Sequence, residues 1–574
     1  MRAAVPISVE QRIGFSRWDA LAVLLTVAVL VFLAEASRGL LQPLTDLQRQ
    51  PVALDPRVLP EYAARTTLRM LVALLLSLVF TFTYATAAAK SRRAEMLLVP
   101  LLDILQSVPI LGFISVTVVF FMSLAPGRVL GAEFAAVFAI FTSQAWNMAF
   151  SFYQSLRTVP VELTEASRTF RLSGWMHFWR VEVPFAMPQL IWNMMVSMSG
   201  SWFFVVASEA ISVGKTTVTL PGIGAYLAAA IEQQNLRAVG WAIAAMLVVI
   251  LLYDQLLFRP LVAWADRFRF EQQAGVPPPQ SLVLDVLRRS RIVATLAAPL
   301  SRLWQRSYRL SRVADTAAPP VSPGRPPRWG DRVWTAIVVV AAAAALWRVG
   351  SFVAANLSLP DVGRAALLGL ATLARVVVLI ALASVIWVPI GVMIGTRPRL
   401  AQLIQPLVQF LAAFPANVLF PVAVVAIVSF RLSPDIWLSP LMILGTQWYI
   451  LFNVVAGAMA IPSEMRDIGT NLQVGGLLWW RRIALPAVFP YYVTGAITAS
   501  GGSWNASIVA ELASWGDTHL RAYGLGSYIA EATEAGDMHR VVLGIAVMSF
   551  YVVVINRLFW RPLYWFAEQK FRLG

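Results

Sequence analysis

The chain has 574 residues, of which 58% are apolar and only 13% charged, and its mean hydropathy is +0.68. Soluble domains carry about 25% charged and about 45–50% apolar residues, so a cytosolic enzyme, a disordered chain and a collagen-like repeat are excluded, leaving a polytopic membrane protein. The net charge is +16, from 46 Lys and Arg against 30 Asp and Glu, and cysteine is absent, which removes disulfides, thiolate metal sites and cysteine nucleophiles.

In chain order, Arg2, Arg12 and Arg17 precede an apolar run from about 20 to 34 that ends in Ala34-Glu35-Ala36. A cleaved signal peptide is conceivable there. An uncleaved anchor is expected instead, because the entry Arg17-Trp18 recurs as Arg328-Trp329 in mid-chain, where no signal can be cleaved. Runs long enough for about 30 Å of hydrocarbon fall near 18–40, 63–89, 96–123, 132–155, 191–211 and 239–258. A second set falls near 332–350, 363–395, 400–430, 437–456, 491–511 and 540–560. Backbone groups find no water inside a bilayer, so all twelve are expected to be helices. With the N-terminus in the cytoplasm, cytoplasmic segments hold 31 of the 46 Lys and Arg. That bias predicts both termini inside.

The chain repeats itself. At an offset of 302, Trp146, Pro160, Glu162, Gly174, Arg180 and Pro184 meet Trp448, Pro462, Glu464, Gly476, Arg482 and Pro486. The register continues through Gly200-Ser201-Trp202 on Gly502-Ser503-Trp504, Glu209 on Glu511 and Arg259-Pro260 on Arg561-Pro562. Upstream, an offset of 306 pairs Thr66, Arg69, Pro100 and Pro109 with Thr372, Arg375, Pro406 and Pro415. Six spans per copy give both copies one orientation, a parallel repeat with a central pathway between the halves. The expected organisation is a first copy over 1–258 (core about 65–255), a basic linker over 259–332 and a second copy over 333–574 (core about 370–560). The linker holds 13 Arg against five Asp and Glu, with Pro277-Pro278-Pro279 and a Pro-rich patch from Pro319 to Pro327. Between these, Leu282 to Val313 has the pattern of a basic amphipathic helix, which suits anionic lipid, with a solvated tether as the alternative.

Several chemistries are excluded by spacing. His177, His519 and His539 are scattered without metal-ligand spacing, and His177 is expected to be a solvated loop residue. Gly214-Lys215-Thr216 imitates the end of a phosphate-binding loop, but Glu209 stands where that motif needs its upstream Gly. No ATP hydrolysis, catalytic residue, metal or cofactor is expected of this chain.

Between spans four and five, and again between ten and eleven, lies a polar loop of about 35 residues. Copy one carries Pro160, Glu162, Glu165, Ala166, Ser167, Gly174, Val181, Val183 and Pro184; copy two carries Pro462, Glu464, Asp467, Gly476, Ile483, Leu485 and Pro486. An acidic residue soon after a Pro suits a helix N-terminus, and Pro184 and Pro486 are expected to end the helix before the next span. This arrangement resembles the EAA loop of ABC-importer permeases, whose consensus is Glu-Ala-Ala, three residues, Gly, nine residues, then Ile-x-Leu-Pro. Neither copy has the central Gly, which is Arg171 and Gln473 here.

Downstream, Ser201-Trp202 to Glu209 with Leu220-Pro221-Gly222, Gly224 and Tyr226 is similar to the duplicated permeases of nitrate/sulfonate/taurine-type ABC importers. Copy two answers with Ser503-Trp504-Asn505 to Glu511, then Gly524, Gly526 and Tyr528. The resemblance implies an all-α, type I ABC importer permease in the bacterial inner membrane, with both transmembrane domains in one chain. It implies two ATPase domains below, which hold ATP and Mg, and a periplasmic solute-binding protein above. Glu162, Glu165, Ala166, Ser167, Gly174, Pro184, Glu464, Asp467, Gly476 and Pro486 would then couple to the ATPases. A small anion such as nitrate, a sulfonate or taurine is the implied solute. Rival readings are a fused iron- or thiamine-type permease, a twelve-helix secondary carrier and a non-transporting scaffold. A carrier would leave the paired loops without purpose, and the loops after spans two and eight lack its acidic-arginine motif.

Ionisable residues within spans are costly. Arg69 and Arg375, with Glu209 and Glu511, lie at similar depth, so an Arg–Glu pair is expected in each half, as a pathway element or a static brace. Swapping Arg69 and Glu209 is expected to restore function. Ser201, Trp202, Ser503, Trp504 and Asn505, beside close-packing glycines, are further pathway candidates, Asn505 for an asymmetric solute contact.

Overall fold

The computed structural model describes residues 17–37, 42–43, 52–107, 110–213, 216–268, 281–310 and 329–397. It also describes 400–571 apart from 401–403, 405–406, 409–410, 413, 415, 460, 462–464, 466–468 and 470. Among the described residues nine helices are long and apolar enough to cross a membrane: Arg17–Ala36, Pro56–Lys90, Val129–Arg157, Gly174–Glu209, Leu236–Ala265, Arg332–Ala354, Leu359–Gly395, Gly476–Ala510 and Met538–Ala567. A tenth candidate is the pair Pro434–Leu444 and Gln447–Met459, bent by 43°. Within the expected third span, 96–123, the described residues form the helices Arg92–Ser107 and Ile110–Leu124. Of the ninth expected span, 400–430, the described residues form short helices, Ala416–Leu419 and Phe420–Ser429.

Chain contacts divide the protein into two compact units. The larger comprises 37–158, 192–251 and 319–574. There Pro56–Lys90 packs along Val129–Arg157, and Leu359–Gly395 along Gln447–Met459, which also meets the helix Leu485–Ala510. One stripe of Pro56–Lys90 is buried, with Thr66, Arg69, Met70, Ala73, Leu74, Ser77 and Thr81, while Leu75, Leu76 and Val79 are exposed. That is the helical period of an element with one face on protein and one on lipid. Leu359–Gly395 begins on a capping box in which the Asp361 carboxylate accepts from Ser358 N at 2.9 Å.

The smaller unit comprises 1–36, 159–191 and 252–318. Within the linker, residues 281–310 form two helices, Leu282–Arg289 and Arg291–Leu310, joined at Ser290. Asp19 on the first helix is buried and caps the second of them: its Oδ1 accepts from Arg291 N at 2.8 Å and from Ser290 Oγ at 2.9 Å. A carboxylate at a helix N-terminus satisfies orphan donors and the macrodipole together.

Local irregularities repeat at the offset of 302. Five-residue π turns Phe178–Glu182 and Asp254–Phe258 precede Pro184 and Pro260, and Trp480–Ala484 and Asn556–Trp560 precede Pro486 and Pro562. The helices therefore run on through Pro184 and Pro486 instead of ending there. The wider π ring shifts the carbonyl partners past the residue that lacks an N–H, so proline is absorbed as a bulge. Each copy also carries an antiparallel hairpin, Ala210–Val213 with Thr216–Thr219 and Leu512–Trp515 with Thr518–Arg521. His177 is buried, not solvated; its Nε2 lies 3.4 Å from Glu182 Oε1.

Candidate functional site

Three sets of residues carry the polar geometry of the chain. The first surrounds Arg69 on Pro56–Lys90. Its Nη1 donates to Glu209 Oε1 at 2.7 Å, while Nε and Nη2 donate to Glu133 Oε2 and Oε1 at 2.6 and 2.7 Å. Thr66 Oγ1 also donates to Glu209 Oε1 at 2.7 Å, and Gly224 N donates to Oε2 at 2.6 Å. One guanidinium faces two carboxylates, and the N-terminus of the helix Ile223–Glu232 supplies the remaining positive potential. Glycine is required at 222 because a Cβ there would run into the Glu209 carboxylate.

The second copy rebuilds this cluster less tightly. Arg375 Nη1 donates to Glu511 Oε1 at 3.0 Å and Nη2 to Asp435 Oδ1 at 3.3 Å. Thr372 Oγ1 donates to Glu511 Oε1 at 2.8 Å, and Gly526 N and Ser527 N donate to Oε2 at 2.7 and 3.2 Å. The third carboxylates, Glu133 and Asp435, were missed in the sequence although they stand 302 apart. The shorter Asp435 accepts one hydrogen bond from its arginine where Glu133 accepts two, and its Oδ1 also accepts from Tyr523 N at 2.6 Å. Its side chain is 55% exposed against 9% for Glu133, which leaves Arg375 the wetter of the two arginines.

The second set is a small cleft of about 80 Å³ beside the bend at Gly445–Thr446, between the helices that carry Ser143, Gly200 and Tyr449. Gly200, Phe203, Phe204, Gly502 and Ala506 reach it, whereas Ser201, Trp202, Ser503 and Trp504 are buried away from it. Ser201 Oγ is 2.9 Å from Ser143 Oγ and donates to Ser197 O at 2.7 Å; Ser503 Oγ donates to Ala499 O at 2.9 Å. Trp504 stacks on Tyr551. Asn505 Oδ1 accepts from Ile110 N at 2.6 Å, capping the first free donor of the helix Ile110–Leu124. Arg69, Arg375, Glu209 and Glu511 are likewise outside the cleft lining.

The third set is the long polar loop. In copy one it forms the helix Val161–Thr169, with Glu162 in its first turn, Glu165 and Ala166 exposed and Ser167 buried, its Oγ donating to Thr164 O at 2.7 Å. The helix closes on a Schellman turn: Leu172 N donates to Ser167 O at 3.0 Å and Arg171 has φ +49°. Copy two repeats it, with Val474 N donating to Gly469 O at 2.8 Å and Gln473 at φ +53°. These are the positions where the EAA consensus has Gly, and a left-handed C′ residue explains that preference. Beside each stands a large exposed apolar side chain, Phe170 at 77% and Leu472 at 70% exposure. Gly174 and Gly476 open the next helices, which lead through the π turns to Pro184 and Pro486. Glu464 and Asp467 lie outside the described residues.

In copy one the outgoing helix is also held by the linker. Trp175 Nε1 donates to Ser307 Oγ at 3.1 Å, Trp179 meets Trp304 edge to face at 4.8 Å, and Arg180 lies 5.0 Å over the Tyr308 ring.

Comparison with known proteins agrees with this doubled layout. The nitrate import permease protein NrtB of Leptolyngbya laminosa is 28% identical over 188 residues, 33% of this chain. The bicarbonate transport system permease protein CmpB of Synechococcus elongatus is 27% identical over 188 residues. This chain spans 64% of the length of each of these two relatives. The glycine betaine/proline betaine permease protein ProW of Escherichia coli is 29% identical over 156 residues, 27% of this chain and 42% of ProW. Two separate stretches, 68–260 and 387–561, match the same family, and together they take in more than half of the chain. The chain belongs to the family of binding-protein-dependent transport system inner membrane components.

Proposed function

We propose that the chain is the transmembrane permease subunit of an ATP-driven importer. It supplies both transmembrane domains, 1–258 and 333–574, joined by the basic linker 259–332, and it moves a small anionic solute into the cytoplasm. Separate ATPase domains bind ATP and Mg and dock on the two loop helices; a periplasmic binding protein hands over the solute. The chain sits in the inner membrane with both termini in the cytoplasm, and it catalyses no reaction itself.

The observation that carries this reading is the doubled loop. Both copies present the same Schellman turn, the same exposed apolar residue before it and the same π turn into the next span. Phe170 and Leu472 stand exposed at the loop tips, and the helices that open at Gly174 and Gly476 run through the π turns into the spans, a path by which force at the tip reaches the span. The doubled match to the family and the nitrate and bicarbonate relatives support the anionic solute.

Co-purification tests the docking. The full chain is expected to retain its partner ATPase through size exclusion, and Phe170→Asp with Leu472→Asp to lose it while the chain remains monodisperse. Retention of the ATPase by the doubly substituted chain would contradict docking at these helices.

A further inference from the structure

We infer that the linker helix Arg291–Leu310 reads the negative charge of the inner leaflet and passes it to the docking loop of the first copy alone. Anionic phospholipid headgroups take its exposed arginines, while Trp304, Ser307 and Tyr308 hold the helix that leaves the loop. This rests on the permease reading above, which puts the linker in the cytoplasm, and adds a regulator to it.

The helix is strung between two spans. At its start, Asp19 Oδ1 accepts from Arg291 N at 2.8 Å and from Ile292 N at 3.2 Å. Asp19 stands in the first turn of the span Arg17–Ala36, just before the exposed apolar side chains of Leu21 and Leu24. Further along, Trp304, Ser307 and Tyr308 meet Trp175, Trp179 and Arg180, at the start of the span Gly174–Glu209. Arg291 and Trp304 are about 20 Å apart along the helix. A helix fastened near both ends to the entry turns of spans lies along the membrane surface.

Its side chains fit that place. From Arg291 to Leu310 there is no Asp or Glu. Arg302 and Arg306 lie one turn apart on one face, and Trp304 and Tyr308 one turn apart on the opposite face. Both arginines are exposed and pair with no carboxylate among the described residues. Leu303, between the two faces, is 60% exposed. A basic face flanked by an exposed leucine suits the headgroup layer of an anionic leaflet. A solvated tether gains nothing by holding Leu303 in water.

The second copy lacks the seat for such a helix. At the offset of 302, Trp175 corresponds to Leu477, which is 83% exposed, and Trp179 to Arg481. Both loops close on the same Schellman turn, but only the first is braced by the linker. Lipid that orders the brace therefore orders the first loop, and the second serves as an internal control.

Amide exchange of the full chain in nanodiscs tests this, with residues 169–182 compared with 471–484. Replacing pure phosphatidylcholine by a mixture with about one-third phosphatidylglycerol is expected to slow exchange in 169–182 about fivefold, the shift that one arginine at an anionic surface supplies. Exchange in 471–484 is expected to stay unchanged. Inorganic phosphate added to phosphatidylcholine nanodiscs should slow neither stretch. Arg302→Gln with Arg306→Gln should abolish the lipid response, and Trp304→Ala should abolish it in 169–182 while 291–310 still slows. No slowing, equal slowing of both stretches, slowing by phosphate, or a response in 169–182 that survives either set of substitutions overturns the inference. ATP-driven uptake in proteoliposomes reads the permease role separately. Uptake without the lipid response defeats only the lipid-reading role; the response without ATP-driven uptake defeats the permease reading.

Discussion

Arg69 and Glu209 meet at 2.7 Å with side chains 3% and 0% exposed, yet they are not an isolated pair. Glu133 holds two of the guanidinium nitrogens, and Gly224 N–H holds the second oxygen of Glu209. A swap of Arg69 and Glu209 would place a new carboxylate against Glu133 and a new cation against the N-terminus of the helix Ile223–Glu232. The swapped chain is thus expected not to recover, contrary to the simple pair expected from the sequence. Recovery of monodisperse protein by Arg69→Glu with Glu209→Arg would show that the cluster is divisible.

The two clusters should differ in cost. Removing one partner of a buried ion pair costs about 3–5 kcal/mol because a charge is left unpaired in low dielectric. Arg69→Met should approach that range. Arg375→Met should cost less, since Asp435 is half in solvent and can rehydrate. Thermal unfolding of the two variants in detergent checks the order. An equal or larger loss for Arg375→Met would contradict the assignment of the tighter cluster to the first copy.

Arg171 and Gln473 occupy left-handed backbone that glycine adopts without strain. Arg171→Gly and Gln473→Gly should each stabilise the loop by about 1 kcal/mol. Slower amide exchange in the turns would register the gain. Faster exchange would mean that the side chains contribute more than the backbone strain they impose.

Asp19 ties the first helix to the linker. Asp19→Ala should cost about 1 kcal/mol of cap energy and speed proteolysis of 291–310 about fivefold, while Asp19→Asn retains an acceptor and sits between. Unchanged cleavage in Asp19→Ala would show that the other contacts, among them Arg289 over Trp18 at 5.1 Å and Trp304 against Trp179 at 4.8 Å, suffice to hold the linker.

Much of this layout is legible in the residues, because a bilayer allows few backbone solutions and duplication prints each feature twice. The two Arg–Glu contacts and the basic linker helices follow from charge position alone. Glu133 and Asp435 escaped because their match lies at the offset of 302, downstream of the block where 306 governs Arg69 and Arg375. The π turns were hidden for a different reason: proline suggests a helix end, and only packing on both sides decides whether the helix stops or bulges. Ser201, Trp202, Ser503 and Trp504 drew attention as polar or aromatic residues in spans. Helical rotation puts their neighbours Gly200, Phe203 and Phe204 in the cleft, and a one-residue phase is beyond a pattern without an anchored face.

Reconstitution of the full chain with its ATPase and binding protein in proteoliposomes tests the central claim most directly. The account predicts that solute accumulates only with ATP, that the loaded binding protein stimulates hydrolysis, and that Phe170→Asp with Leu472→Asp abolishes both. Accumulation driven by an ion gradient without the ATPase would contradict it and make the chain a secondary carrier.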